Sequence, residues 1–251
     1  MIRNPKILKY IYNIKPTAII HIGGHLGQDG NTYDELANVQ VWWGEGIKEN
    51  AEEIKRRHPN HEVISKMFWS TTSRFLPFYK LEDNRSSSLI KPLNNNMKIL
   101  EEITNVETTT LDSEFLEMDL GKNIFVVLDV QGAELEVLHG GEGLLKRVKY
   151  LVIEVSKDIE KEYSVQDKYN LKVFEFMQKI GFKKSICRPS HDLRYVDQLY
   201  LKSNNFNLYL INLLDNIISI ISKAFHFILK KHLKTSPWNC ELCNLIQFNH
   251  E

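Results

Sequence analysis

The chain has 251 residues, 43% of them hydrophobic and 25% charged, which suits one domain of ordinary size with a full core and space for an appendage. Its 32 basic and 32 acidic residues cancel, so no global field draws it to nucleic acid or to a membrane, and no nucleic-acid partner is expected. Three cysteines, Cys187, Cys240 and Cys243, are an odd number in a chain without a signal-peptide pattern and point to a reducing, cytoplasmic setting.

Residues 1–15 carry basic side chains but no long apolar stretch and read as a short leading helix. TAIIHI (17–22) is a strand ending at Gly23-Gly24, followed by a polar helix from about Gln28 to Ala37. QVWWGEG (40–46) is a second strand, KENAEEIKRRH (48–58) a helix, and HEVISKMFW (61–69) a third strand. RFLPFYKL (74–81) alternates and reads as an extra edge strand, because Pro77 cannot donate to a ladder. Residues 82–96 are turn- and loop-rich, 105–111 are β-branched and extended, and 112–118 form a short helix. Five apolar residues, Ile124–Leu128, make a buried strand that ends in Asp129. A Gln131-Gly132 turn leads to a helix over 133–146, then to the strand KYLVIEV (149–155). A further helix shows apolar Tyr169, Val173, Phe176, Met177 and Ile180 and stops at Gly181. FKKSICR (182–188) and YVDQLYLK (195–202) are too close for a helical crossover, so they pair as an antiparallel hairpin. Strands alternating with helices predict an α/β fold with a mostly parallel sheet covered on both faces. No internal repeat is visible.

Two turns carry chemistry. In HIGGHLGQDG (21–30), Gly23, Gly24 and Gly27 let the backbone approach a ligand at a helix N-terminus. Glu45, at the end of the second strand about twenty residues on, stands where an acid takes the ribose hydroxyls of a nucleoside cofactor. Asp129, at the C-terminal end of its strand, reads two ways: as an N-cap for the next helix, or as a ligand-facing carboxylate.

The order HIGGHLG, Glu45, RSSSL, VETTTLD, LDVQGAELEVLHGG, VIEVS, GF and DQLYLK resembles the FkbM-type methyltransferases over about residues 16–203. The most specific segment is LDVQGAELEVL with the glycines after it. The resemblance implies a Rossmann-like class I methyltransferase fold, with a seven-stranded, mostly parallel sheet closed by an antiparallel hairpin. It implies S-adenosylmethionine as cofactor and, most often, a hydroxyl oxygen as acceptor. It places Gly23, Gly24, His25 and Gly27 along the methionine part of the cofactor and Glu45 on the ribose. Met67 and Phe68 fall at the adenine, and Asp129 and Val130 beside the sulfonium. The chain departs from the pattern at His21, where many members carry an acid that contacts the cofactor's amino group. His21 also reads as a hydrogen-bonded core histidine.

A hydroxyl acceptor must lose a proton, and a carboxylate or imidazole in hydrogen-bond reach can take it. Asp129, Glu134 and Glu154 are the catalytic candidates, followed by His25 and His139. Asp129 can equally hold the cofactor's amino group, and Glu134 can be an acid in the first turn of a helix. The loop RSSSLIKP (85–92), with the hydroxyls of Ser86, Ser87 and Ser88 and two cations, contacts the acceptor or lids the site, or is an ordinary surface loop.

Residues 204–251 form a C-terminal appendage. Asn212, Asn216, Ser219, Lys223, His226 and Lys230 make one polar stripe on an amphipathic helix over 206–234 with a broad apolar face. That face packs on the domain or in a homodimer, or rests on a membrane surface with help from Lys230, Lys231 and Lys234. Cys240 and Cys243 with His250 are an incomplete zinc set, so no metal is expected. The sequence therefore predicts a cytoplasmic S-adenosylmethionine-dependent O-methyltransferase acting on a sugar, glycan or natural product. The alternatives are a catalytically silent Rossmann-like interaction module and a nicotinamide enzyme, in which Asp129 and its turn have no role.

Overall fold

The computed structural model describes residues 15–189 and 195–202. Among the described residues, ten strands fall in two sheets. The main sheet holds β1 (Ala18–Ile22), β2 (Gln40–Gly44), β3 (Glu62–Ile64), β7 (Ile124–Leu128), β8 (Val148–Ser156), β9 (Lys183–Pro189) and β10 (Tyr195–Leu201) in the order β3-β2-β1-β7-β8-β10-β9. β1, β2, β3, β7 and β8 pair in parallel, while β10 runs antiparallel to β8 and β9. The sheet is mostly parallel, as the sequence predicts, with the antiparallel pair β9-β10 at one edge.

The central strands are continuous apolar runs because both faces of the sheet are covered. Every residue of β1 and β7 is buried. Ile20, Ile22, Val126, Leu128 and Ile153 face one layer, together with Leu135 of α4 (Glu134–His139) and Val173 and Met177 of α7 (Tyr169–Lys179). Ile19, Phe125, Val127 and Val152 face the other, together with Tyr33 of α1 (Gly30–Tyr33) and Ile54 of α2 (Lys48–Arg57).

Four elements depart from expectation. The helix predicted over 28–37 shrinks to the single turn α1. The strand predicted over 61–69 splits: Ser65-Lys66 turns the chain, and β4 (Met67–Phe68) leaves the main sheet. β4 pairs in parallel with β6 (Ile99–Thr109), and β5 (Phe75–Leu81) closes the other edge of this three-stranded sheet. Pro77 lies at a register irregularity on that edge strand, where its missing N–H costs no ladder bond. The helix predicted over 133–146 is two helices, α4 and α5 (Glu142–Arg147), broken at Gly140-Gly141. The cause lies in Asp112, just inside α3 (Leu111–Phe115): its carboxylate accepts the Gly143 and Leu144 N–H groups at 2.9 and 2.7 Å and so starts a new helix there. The turn α6 (Ile159–Glu162) was not foreseen.

Among the described residues no helix is long and apolar enough to cross a membrane. Most of the leading segment, the helix expected over 206–234 and the Cys240–Cys243 pair lie outside the described residues.

Candidate active site

The order of the main sheet reverses between β1 and β7. β1 leads outward to β2 and β3, and β7 leads the other way to β8. A crevice forms at the C-terminal ends of strands at such a point. Ile22, Gly23, His25, Glu45, Met67, Phe68, Ser87, Ser88, Asp129 and Val130 line a crevice here.

The turn after β1 is built by close approach. Gly23 holds φ +85°, its N–H donates to the Gly44 carbonyl at 2.8 Å, and the Asp129 N–H donates to the Ile22 carbonyl at 2.9 Å. His25 follows at φ 47°, a conformation that costs a side-chain-bearing residue some strain. The Glu45 carboxylate holds it there: Oε2 accepts the His25 N–H and Oε1 the Ile47 N–H, both at 2.8 Å. Burial raises the Glu45 carboxyl to about 7 despite those bonds. Burial also lowers the His25 imidazole from its ordinary value, and the nearby Arg85 guanidinium adds to that.

Asp129 does not cap a helix. α4 begins at Glu134 with Ala133 in the cap position and no side-chain cap. Instead Gln131, at φ 53°, donates its amide to Asp129 Oδ1 at 2.6 Å and reaches Glu154 Oε2 at 3.4 Å. One amide thus ties two of the candidate carboxylates together. Of the two, only Asp129 lines the crevice.

Glu134 sits elsewhere. It is 2% exposed, accepts the Gly132 N–H and the Tyr169 hydroxyl, and does not line the crevice. Burial raises it too, to about 7. Its hydrogen bonds brace the Gln131-Gly132 turn from beneath. His139 contacts Phe176 and Glu142, also away from the crevice.

Gly24 and Gly27 do not line the crevice either. A Cβ on Gly24 would meet the Trp43 ring at 2.6 Å, and one on Gly27 the His58 ring at 3.2 Å, so they serve packing behind the turn. His21 lies in that same layer, stacked on Trp43 at 4.7 Å and bonded to the Tyr33 hydroxyl at 3.1 Å. It is a core histidine.

A hydrogen-bonded chain that the sequence did not suggest stiffens this layer. The Trp43 indole donates to His61 Nδ1 at 3.1 Å, which leaves Nε2 as the protonated nitrogen facing Asp34 Oδ1 at 3.1 Å. Asp34 Oδ2 meets His58 Nδ1 at 2.7 Å, and His58 Nε2 meets the Gly27 carbonyl at 2.9 Å. The potential ligand atoms of Asp34, His58 and His61 lie within 4.8 Å of one another. A metal on His61 Nε2 would have to displace the proton that the Trp43 bond places there. Every ring nitrogen of the two histidines faces a group of the protein.

The residues 84–88 run across the mouth of the crevice as a strap. The Asn84 amide donates to Asn50 Oδ1 on α2 at 3.0 Å, the Tyr163 hydroxyl donates to the Ser86 carbonyl at 2.7 Å, and the Ser88 hydroxyl donates to the Gln131 carbonyl at 2.7 Å. Asn50, Asn84, Arg85 and Lys66 line the crevice as well. Arg85 falls in the loop 85–92 that the sequence singled out, whereas no local pattern marks Asn50, Asn84 or Lys66; the strap and α2 meet only in the fold. Ser86 does not line it.

The model of the methyltransferase FkbM domain matches residues 50–184, more than half of the chain. The chain belongs to this family. It is therefore a methyltransferase, and its cofactor is S-adenosylmethionine. Solved structures similar to it include a precorrin-6y C5,15-methyltransferase from Geobacter metallireducens, 9% identical over 80% of this chain and 87% of that one, with a TM-score of 0.43. A SAM-dependent methyltransferase from Aquifex aeolicus is 14% identical over 79% of this chain and 88% of that one, TM-score 0.42. Magnesium protoporphyrin IX methyltransferase from Synechocystis, solved with bound SAM, is 8% identical over 79% of this chain and 77% of that one, TM-score 0.44. No curated protein matches the chain.

The residues present fit this cofactor. Glu45 is a buried acceptor at the end of β2, suited to a ribose diol. Beside it, Asn84 Oδ1 is a buried acceptor without a partner among the described residues, open to a polar ligand.

Proposed function

We propose that the FkbM-family chain methylates a hydroxyl oxygen of a sugar, glycan or natural product in the cytoplasm. One observation carries the reading: the Asp129 carboxylate lines the crevice at the reversal of the sheet, with Oδ1 held by Gln131. An alcohol acceptor needs a group that takes its proton, whereas an amine with a free lone pair does not. A carboxylate fixed by a second-layer amide suits that task.

When bound, S-adenosylmethionine supplies a methyl group already activated on a sulfonium. The chain's own residues then have positioning work. Glu45 accepts from the ribose, and Gly23 lets the backbone come close. Met67 and Phe68 pack the base, and Val130 packs beside the methionine part. Asp129 accepts the hydroxyl proton, and Glu154, coupled through Gln131, sets the orientation of that amide. Ser87 and Ser88 line the same opening. Any homodimer or membrane-surface contact would come from the segment 206–234.

The test is incubation of the full chain with methyl-labelled S-adenosylmethionine and a panel of polyhydroxylated acceptors. Methyl ether formation, read by mass spectrometry together with release of S-adenosylhomocysteine, is the expected result. Label found solely on nitrogen or carbon would overturn the hydroxyl reading. Failure to bind S-adenosylhomocysteine at all would overturn the donor site itself.

A further inference from the structure

The three serines of the strap looked like the part of it that meets a ligand. Their hydroxyls are engaged within the protein. Ser86 Oγ donates to Asp83 at 2.8 Å, Ser87 Oγ accepts the Leu81 N–H at 3.0 Å, and Ser88 Oγ donates to Gln131 and accepts the Ile90 N–H at 2.9 Å. They pin the strap in place. Besides Ser87 and Ser88, the strap brings Asn84 and Arg85 to the crevice.

Asn84 is tied to Asn50, on the Glu45 side of the opening. Its Oδ1 is the buried acceptor already described. Arg85 comes next, exposed at the rim. Among the described residues its guanidinium makes no hydrogen bond and no ion pair, although it lies near enough to His25 to act on that imidazole. Lys66, the other cation of the crevice, is paired with Glu114 at 2.7 Å. Arg85 is therefore the crevice's uncommitted positive charge, beside the turn 23–27.

The donor carries a carboxylate on its methionine part. A guanidinium matches a carboxylate with two parallel N–H bonds. We propose that the strap belongs to the donor side of the site and that Arg85 holds the carboxylate of bound S-adenosylmethionine. This rests on the reading of the crevice as the donor pocket. Asn84 and Asn50 set the register of the strap, so the guanidinium is delivered over the turn at His25 and not over the acceptor.

The experiment is calorimetric binding of three probes to the full chain: S-adenosylmethionine, S-adenosylhomocysteine and decarboxylated S-adenosylmethionine. In the wild type the decarboxylated probe binds roughly ten- to a hundredfold more weakly than S-adenosylmethionine, the loss of a charge-assisted pair. Arg85→Ala weakens S-adenosylmethionine and S-adenosylhomocysteine by a similar factor and leaves the decarboxylated probe unchanged, and Arg85→Lys recovers part of the loss. Equal weakening of all three probes, or no weakening of any with a raised KM for the acceptor, overturns the assignment. Absence of binding by the wild type to every probe would instead sink the donor-pocket reading, so the two failures are distinct. Circular dichroism of each variant checks that a loss is not unfolding.

Discussion

A Cβ placed on Gly23 would stand 1.8 Å from the carbonyl oxygen of Asp129. The turn after β1 and the end of β7 are in backbone contact, with no space for a side chain between them. The two stretches of the chain most marked in the sequence, about a hundred residues apart, are thus one wall of one crevice.

Gly23→Ala should be the most damaging single-methyl change in the site. The φ of +85° costs an L-residue roughly 1–3 kcal/mol by itself, and the overlap with Asp129 forces the two turns apart. Expected are a lower Tm and loss of S-adenosylhomocysteine binding in calorimetry. A variant with wild-type affinity would mean that the turn does not bear on the donor.

Glu45 predicts a pH dependence. Its folded carboxyl lies at about 7, above the ordinary 4.5. Below about 4.5 both folded and unfolded states are protonated and no penalty applies. Between about 4.5 and 7 the unfolded state ionises first, so stability falls as pH rises, and above about 7 the penalty is constant. Binding runs the other way, because ribose hydroxyls donate to the ionised form. Affinity for S-adenosylhomocysteine should rise as pH passes through about 7 and lose that rise in Glu45→Gln, with roughly tenfold weaker binding at higher pH. Glu134 titrates in the same range but is off the crevice, so binding separates the two where stability does not.

Asp129→Asn keeps shape and the acceptor for Gln131 but cannot take a proton. We expect S-adenosylhomocysteine affinity within a few-fold of wild type and turnover lower by about 10²–10⁴. Single-turnover methyl transfer measured beside binding gives the comparison. A loss of affinity as large as the loss of turnover would make Asp129 a holder of the donor.

Glu134→Ala strips the partner from the Gly132 N–H and the Tyr169 hydroxyl, two buried groups worth about 1–3 kcal/mol each when orphaned. Denaturant unfolding should show that loss, while the folded fraction keeps most of its turnover. Turnover abolished in a well-folded variant would return Glu134 to the chemistry.

Asp34→Ala should cost stability of about 1 kcal/mol, at the low end because the Asp34 side chain is 42% exposed. A chelator should leave the Tm of the wild type unchanged, since the hydrogen bonds of His58 and His61 are met within the protein. A Tm raised by zinc would point to a metal instead.

Much of this was legible along the chain because it is local. The runs AIIHI and IFVVL announce buried parallel strands by their lack of alternation. The glycine turn, Glu45 and Asp129 follow those strands directly, so strand ends and site residues could be read together. The break of the helix at Gly140-Gly141 could not, because its cause is the Asp112 carboxylate, which caps the second piece from a different element. Nor could the departure of Met67-Phe68 into the second sheet, where the partners are Thr108 and Thr109.

The sequence by itself determined the order of the main-sheet strands, the family, and which strand-end turns form the crevice. Hydrophobic period and turn chemistry act over a few residues and leave their mark there. Only the tertiary structure decided that Asp129 faces the crevice while Glu134 lies beneath it. It also decided that Ser86, Ser87 and Ser88 are tied to the protein's own groups and that Asn84 and Arg85 reach the opening. Those roles depend on which distant backbone groups each side chain meets, and such meetings exist only once the chain is packed.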